Sequence, residues 1–338
     1  MVSSLDLKLL NSAECALFDI DGVLIDVRKS YNLAIKQTVD FVVKRMTGAS
    51  CARRLVSDTL LLKFKQTGGF NNEIDMSYAI ILALMSLPFG ESVHDKADFL
   101  FKVAENADET GMLSVEEYLS SLYSTSRIKK LKEDLVYPAP VGKSLLATVF
   151  DELFYGPTLF QKQHNMKPRY YHGKPLIKND KILIRKKTLN FISEKFNGNL
   201  AVVSGRSRIA AHHSLESFFY IFDQKASVFL EDENRKYWKP NPYSIKKAMN
   251  SLDAKTAFFV GDSMEDLYMS RKAEQEGDLK IKFIGVYGSS VQPQEMIRKF
   301  KESRADMIIE DVNCLYQNIE RRGTSKRQDL QKSHDYKS

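Results

Sequence analysis

The chain has 338 residues, 43% of them apolar and 28% charged, with a formal net charge of +7; at about 100–200 residues per domain this predicts two domains or one with a large insertion, and it excludes a disordered chain. The charge is unevenly placed: Arg321–Ser338 holds six Lys/Arg against two Asp/Glu, so the remaining 320 residues carry only +3, and no polycationic body points to nucleic acid. The longest unbroken apolar run, Tyr78–Met85, is far short of the ~18 residues of a membrane span, no secretory signal opens the chain, and Cys15, Cys51 and Cys314 form no CxxC pair, so a reducing cytoplasm without disulfides or structural zinc is expected.

Cys15–Asp19 reads as a short buried strand running into Ile20-Asp21-Gly22-Val23-Leu24. From about Arg28 to His164 helix follows helix. Ser30–Met46 has the three- and four-residue spacing of an amphipathic helix. Glu73–Leu87 reads as a more deeply buried helix, followed by Ser92–Ala107 and Ser114–Lys132, the last with Ser114 and Glu117 as a capping box. Pro138 and Pro140 break the run before a helix from about Gly142 to Phe154. Beyond about Lys181 strands are expected at Leu200–Val203, Ser227–Leu230, Thr256–Val260, Ile281–Val286 and Met307–Glu310, with helices over Arg206–Phe222 and Met264–Ala273. That alternation predicts an α/β fold with a Rossmann-like parallel sheet covered on both faces. The strand before Asp19 has the same character but stands far upstream of its partners. The economical topology is one α/β core from residues 1–27 and 180–318, an all-helical insertion over 28–179, and a basic tail over 319–338 that is expected to be disordered.

Four short clusters fall at or just past strand ends or in the loops between elements, where open α/β sheets place ligands. Phe18-Asp19-Ile20-Asp21-Gly22 sets two carboxylates at one mouth of the sheet, a repulsion that a cation or a shared proton would relieve. Val203-Ser204-Gly205-Arg206 offers a hydroxyl and a glycine whose backbone N–H can approach an anion. Trp238-Lys239-Pro240-Asn241-Pro242 stiffens a segment bearing one lysine. Val260-Gly261-Asp262-Ser263-Met264-Glu265-Asp266 brings three acids just past a strand, and capping by Asp262 or Ser263 accounts for only one of them. Each cluster alone also reads as an ordinary turn, cap or solvated lysine.

Together and in this order, Asp19, Asp21, Ser204, Lys239, Asp262 and Asp266 resemble the four-motif signature of the haloacid dehalogenase-like hydrolases, and the insertion after the first motif resembles the α-helical cap of that superfamily's IA-type branch. The string from Asp19 to Tyr31, with Gly68-Gly-Phe-Asn-Asn72, is similar to a group with archaeal and cyanobacterial members. The resemblance implies a Mg²⁺-dependent phosphatase acting on a small phosphorylated metabolite. Asp19 would be the nucleophile and Asp21 the general acid and base. Asp19, the Asp21 carbonyl and Asp262 would hold Mg²⁺, with Asp266 behind them. Ser204, Gly205 and Lys239 would cradle the phosphoryl oxygens. Arg206 has no fixed place in that scheme, since a solvated arginine at a helix start would look the same. Asn71 and Asn72 are the candidate specificity residues of the insertion, although a plain inter-helix turn accounts for them as well.

A dehalogenase needs neither metal nor a second aspartate, so Asp21 argues against it. A phosphomutase would use the same motifs, and a phosphate-ligand sensor without turnover would keep them idle. No membrane partner and no nucleic acid is expected, and the chain reads as a monomer or homodimer.

Overall fold

The computed structural model describes residues 12–48, 52–70, 72–88 and 90–316; the tail over 319–338, with Cys51 and Asn71, lies outside them. The elements run β1 (Cys15–Phe18) and β2 (Ile25–Asp26), then helices α1 (Tyr31–Thr47), α2 (Ala52–Leu55), α3 (Asp58–Lys65), α4 (Glu73–Ser86), α5 (Val93–Glu105), α6 (Met112–Leu122), α7 (Thr125–Leu135) and α8 (Leu145–His164). After β3 (Lys181–Ile182) strand and helix alternate: α9 (Lys186–Lys195), β4 (Leu200–Ser204), α10 (Arg208–Leu215), β5 (Val228–Phe229), α11 (Tyr243–Ser251), β6 (Thr256–Gly261), α12 (Met264–Gln275), β7 (Lys280–Val286), α13 (Pro293–Glu302) and β8 (Met307–Ile309). The described chain separates into two units, one up to Asp26 and from Lys181 onward, the other from Val27 to Asp180.

In the first unit six strands form one sheet in the order β5-β4-β1-β6-β7-β8, every neighbouring pair parallel. A parallel sheet is stable only with both faces covered, and β1 meets that condition: Cys15, Ala16, Leu17 and Phe18 are all fully buried. Cys15 and Leu17 point into a cluster with Ile245, Ala248 and Met249 of α11 and Leu267 and Ala273 of α12. Phe18 points the other way and meets Phe258 and Phe222 edge-on, with Phe196 completing that aromatic layer against Phe258. This packing leaves the strand no freedom to shift register. A one-residue slip would exchange its two buried sets of side chains.

The second unit is helical, and its details depart from the sequence-based boundaries. Ser114 does not begin a capping box: α6 starts after Gly111, and the Ser114 hydroxyl donates to the Gly111 carbonyl at 2.8 Å from inside the helix. The single helix expected over Ser114–Lys132 is two, because Ser124 takes the cap of α7 and accepts from the Arg127 N–H at 3.3 Å. The helix expected to end at Phe154 runs on to His164 across a break at Gly156-Pro157. In the first unit the helix expected over Arg206–Phe222 is shorter too. Ser207 caps α10, and a 3-10 stretch follows from Glu216.

Candidate active site

Strand β1 lies between β4 and β6, where the order of the sheet reverses, and the carboxyl ends of strands at such a point frame a crevice. The register brings the clusters together. Phe18 is level with Val202 of β4 and Val260 of β6, so Asp19, Ser204 and Asp262 all fall on that one edge. The segment bearing Lys239 arrives there from the loop before α11.

Asp19 is held by both of its oxygens. Its Oδ1 accepts from the Ile20 N–H at 2.7 Å, and its Oδ2 faces Lys239 Nζ at 3.0 Å. Lys239 also reaches Asp266 Oδ1 at 2.7 Å, and all three side chains are buried. Burial pushes the Asp19 carboxyl above its ordinary value; the Lys239 charge opposes that push and the Asp266 charge adds to it. For Lys239 burial works against the charge, but Asp19 and Asp266 outweigh it and hold the ammonium above its ordinary value. Asp266 is itself fixed in a capping box of α12: its Oδ2 accepts from the Ser263 hydroxyl at 2.7 Å, and its N–H donates to Ser263 Oγ at 3.2 Å. Helix capping thus accounts for Asp266 as well as Ser263, and Asp262 is left facing the first cluster.

Asp262 lies against the turn after β1. Gly22 has φ +74, and a Cβ there would stand 1.8 Å from Asp262 Oδ2 and 2.9 Å from Ser289 Oγ. Only glycine fits, both for the left-handed backbone and for the close approach. Gly22→Ala is therefore expected to lower kcat/KM more than about tenfold by displacing Asp262, and to cost at least ~1 kcal/mol of stability. Steady-state kinetics and a denaturant melt on the purified variant check this, and full activity would mean that Asp262 has room to spare. Ser289, at 3.4 Å from Asp262 Oδ2, is a site residue that sequence reasoning missed. Its only signal was the small polar run Gly288-Ser289-Ser290 just past β7.

Ser204 is fully buried at the end of β4, and Gly205 is exposed with open space where a side chain would be. The larger correction concerns Arg206. It is not a solvated residue at a helix start, because Ser207 is the cap and the Arg206 side chain is completely buried. Its guanidinium forms an ion pair with Asp21, whose side chain is 28% exposed. The arginine was legible as a residue, but its partner lies 185 positions away.

Of the amides proposed for specificity, Asn72 caps α4, its Oδ1 accepting from the N–H groups of Ile74 and Asp75 at 2.9 and 3.0 Å. The oxygen of this side chain is thus engaged in the cap. Gly69, in the same loop, passes so close to the backbone of Gly111 that a Cβ would meet its N at 2.5 Å, a packing reason for that glycine.

Asp19, Asp262 and Asp266 offer carboxylate oxygens within 4.8 Å of one another, a hard all-oxygen set of the kind that suits Mg²⁺. Both oxygens of Asp266 have partners in Lys239 and Ser263, as both of Asp19 have in the Ile20 N–H and Lys239, so prior engagement does not divide the three as ligands.

A family model described as a haloacid dehalogenase-like hydrolase matches residues 13–274. Among solved structures, the chain is similar to an X-ray structure of a structural-genomics target, at 18% identity over 90% of this chain and 98% of that one, with a TM-score of 0.61. It is also similar to phosphatase Tt82 from Thermococcus thioreducens, at 21% identity over 80% and 92% of the two chains and a TM-score of 0.54. At these identities both are likenesses of fold. No curated protein matches the chain.

Proposed function

The chain belongs to the haloacid dehalogenase-like hydrolases, and from that footing we propose that it is a Mg²⁺-dependent phosphatase that hydrolyses a small phosphate monoester through an aspartyl-phosphate on Asp19. The observation that carries this reading is the buried Asp19 carboxylate, oriented by the Ile20 N–H and Lys239 beside Asp262 and Asp266.

A carboxylate held in this way suits attack on an electrophile delivered to the sheet edge. The Asp19 oxygen forms a bond to phosphorus as the bond from phosphorus to the leaving oxygen breaks, and Asp21 gives that oxygen its proton. Water then attacks the phosphorus, Asp21 takes back a proton, and the bond from phosphorus to Asp19 breaks to release inorganic phosphate. In this reading Lys239, the Ser204 hydroxyl and the Gly205 N–H receive the phosphoryl oxygens. Four carboxylates against two cations leave the site too negative to accept a phosphate dianion unaided. Asp19 and Asp262 would hold Mg²⁺, which would supply the missing positive charge and Lewis acidity toward the phosphoryl group.

The test is a Mg²⁺-dependent screen for phosphate release across phosphate monoesters, including phosphoglycolate, sugar phosphates, histidinol phosphate and nucleotides. Release is expected with at least one of them, falling more than about 10²-fold when EDTA removes the cation and returning when Mg²⁺ is restored. Undiminished turnover in EDTA would take the metal out of the reading. No release from any monoester, with the protein folded and Mg²⁺ present, would overturn it.

A further inference from the structure

Arg206 is the largest fully buried side chain among the described residues, and the reaction sequence above gives it no task. Its Nε donates to Asp21 Oδ1, and its Nη1 donates to Ser214 Oγ at 2.9 Å. Ser214 lies in the last turn of α10 and is itself buried. One arm of the guanidinium is thus anchored on a helix, and another grips a carboxylate that is open to solvent.

A full charge is not buried cheaply, and a lysine would satisfy a point-charge requirement as well. What arginine adds is a rigid planar fork that holds two acceptors in fixed directions. Asp21 needs such a hold. It sits on a turn, its short side chain has its own rotamer freedom, and a proton donor works only within about 2.6–3.2 Å of the atom it protonates. A misplacement of about 1 Å can cost ~10²-fold.

We propose that Arg206 is a positioning residue which, braced on Ser214, pins the Asp21 carboxyl in the orientation that serves the leaving oxygen and then the attacking water. The proposal rests on the acid and base roles given to Asp21 above. Because the Arg206 side chain is wholly shielded from solvent and its Nε is on Asp21, it acts through the aspartate and not on the substrate.

The experiment compares two leaving groups by kcat/KM, which reports the steps up to their departure. Glycerol 2-phosphate leaves as a basic alkoxide that must be protonated, whereas p-nitrophenyl phosphate leaves as a stable phenolate that need not be. Arg206→Lys is expected to lower kcat/KM about 10²-fold on the alkyl ester and less than about 5-fold on the aryl ester. Ser214→Ala keeps the buried charge paired with Asp21 and removes the brace, so it tests the same point should the arginine variant fail to fold. It is expected to show the same preference at about 3–10-fold. In an Asp21→Asn background, Arg206→Lys is expected to add less than about 3-fold, because two residues acting as one unit are not additive. Equal losses on both esters, or a loss that adds in full to that of Asp21→Asn, would overturn the positioning role. If Asp21→Asn itself loses equally on both esters, the acid role of Asp21 falls, and the task of Arg206 falls with it.

Discussion

Asp19→Asn is expected to lower phosphate release by about 10³-fold or more while leaving the melting temperature within a few degrees of the parent. The chemical half of this expectation follows from the amide, which is a poor nucleophile and a weaker ligand for a hard cation. The structural half follows from burial. Asp19 is isosteric with asparagine, its Oδ1 contact with the Ile20 N–H asks only for an oxygen, and the carboxyl is already held above its ordinary value because burial disfavours the charge. Removing that charge removes an unfavourable term, and Lys239 keeps Asp266 as its partner. Trapping of a phosphorylated species in the parent and its absence in the variant would place the covalent bond on this residue. A purified, folded Asp19→Asn protein with more than a few per cent of parent activity would remove Asp19 as nucleophile.

Lys239→Met should damage both stability and activity. Lys239 stands between two buried carboxylates at 3.0 and 2.7 Å, and deleting one partner of a buried ionic cluster costs about 3–5 kcal/mol because the remaining charges are left facing each other. Methionine matches the length of the stem, so the loss is electrostatic and not a packing defect. The sign of the pH dependence follows. With Lys239 gone, burial and the Asp266 charge push the Asp19 carboxyl further up, opposed only by the Ile20 N–H. A carboxyl raised in the folded state binds its proton more tightly there than in the unfolded chain, so its contribution to stability falls as pH rises through the folded value. The variant's deficit is therefore expected to be greatest at and above neutral pH and to shrink on acidification. Added Mg²⁺ should raise the melting temperature of the variant more than that of the parent, because a cation binding only the folded site replaces part of the missing charge. A variant as stable as the parent without Mg²⁺ at neutral pH would show that the three side chains do not form one electrostatic unit. Activity is expected to fall by about 10²-fold or more, since in the proposed mechanism the same ammonium meets the phosphoryl group.

The two substitutions differ for a reason visible only in the fold. Each removes one member of the same cluster; burial opposes both charges, but for Asp19 it prevails, whereas for Lys239 the two neighbouring carboxylates outweigh it.

Much of the core was legible from residues alone. Cys15–Phe18, Leu200–Ser204 and Thr256–Gly261 are apolar runs too short to be helices and are followed by Asp, Ser or Gly, which is how buried parallel strands read. Asp19, Ser204, Lys239, Asp262 and Asp266 each also read as a turn, a cap or a solvated lysine, and they stood out only by their joint order at strand ends and in loops, which resembles a four-motif signature. The strands are local signals, set by burial; the site residues were a signal of the whole set. What the sequence could not settle were choices between partners. Ser114 and Ser124 both have the chemistry of a helix cap, and the break after Leu122, with Ser124 on the Arg127 N–H, decided between them. Arg206 looks the same in sequence whether solvated or buried; only a sheet order that sets β1 beside β4 brings Asp21 to its guanidinium. Gly22 could be read as a turn glycine, but its necessity comes from Asp262, delivered by a strand far along the chain. The sequence by itself determined which residues are candidates for the chemistry, because that depends on their functional groups. The tertiary structure decided which of them act on one another, because charge pairs and close contacts depend on distances that chain order does not contain.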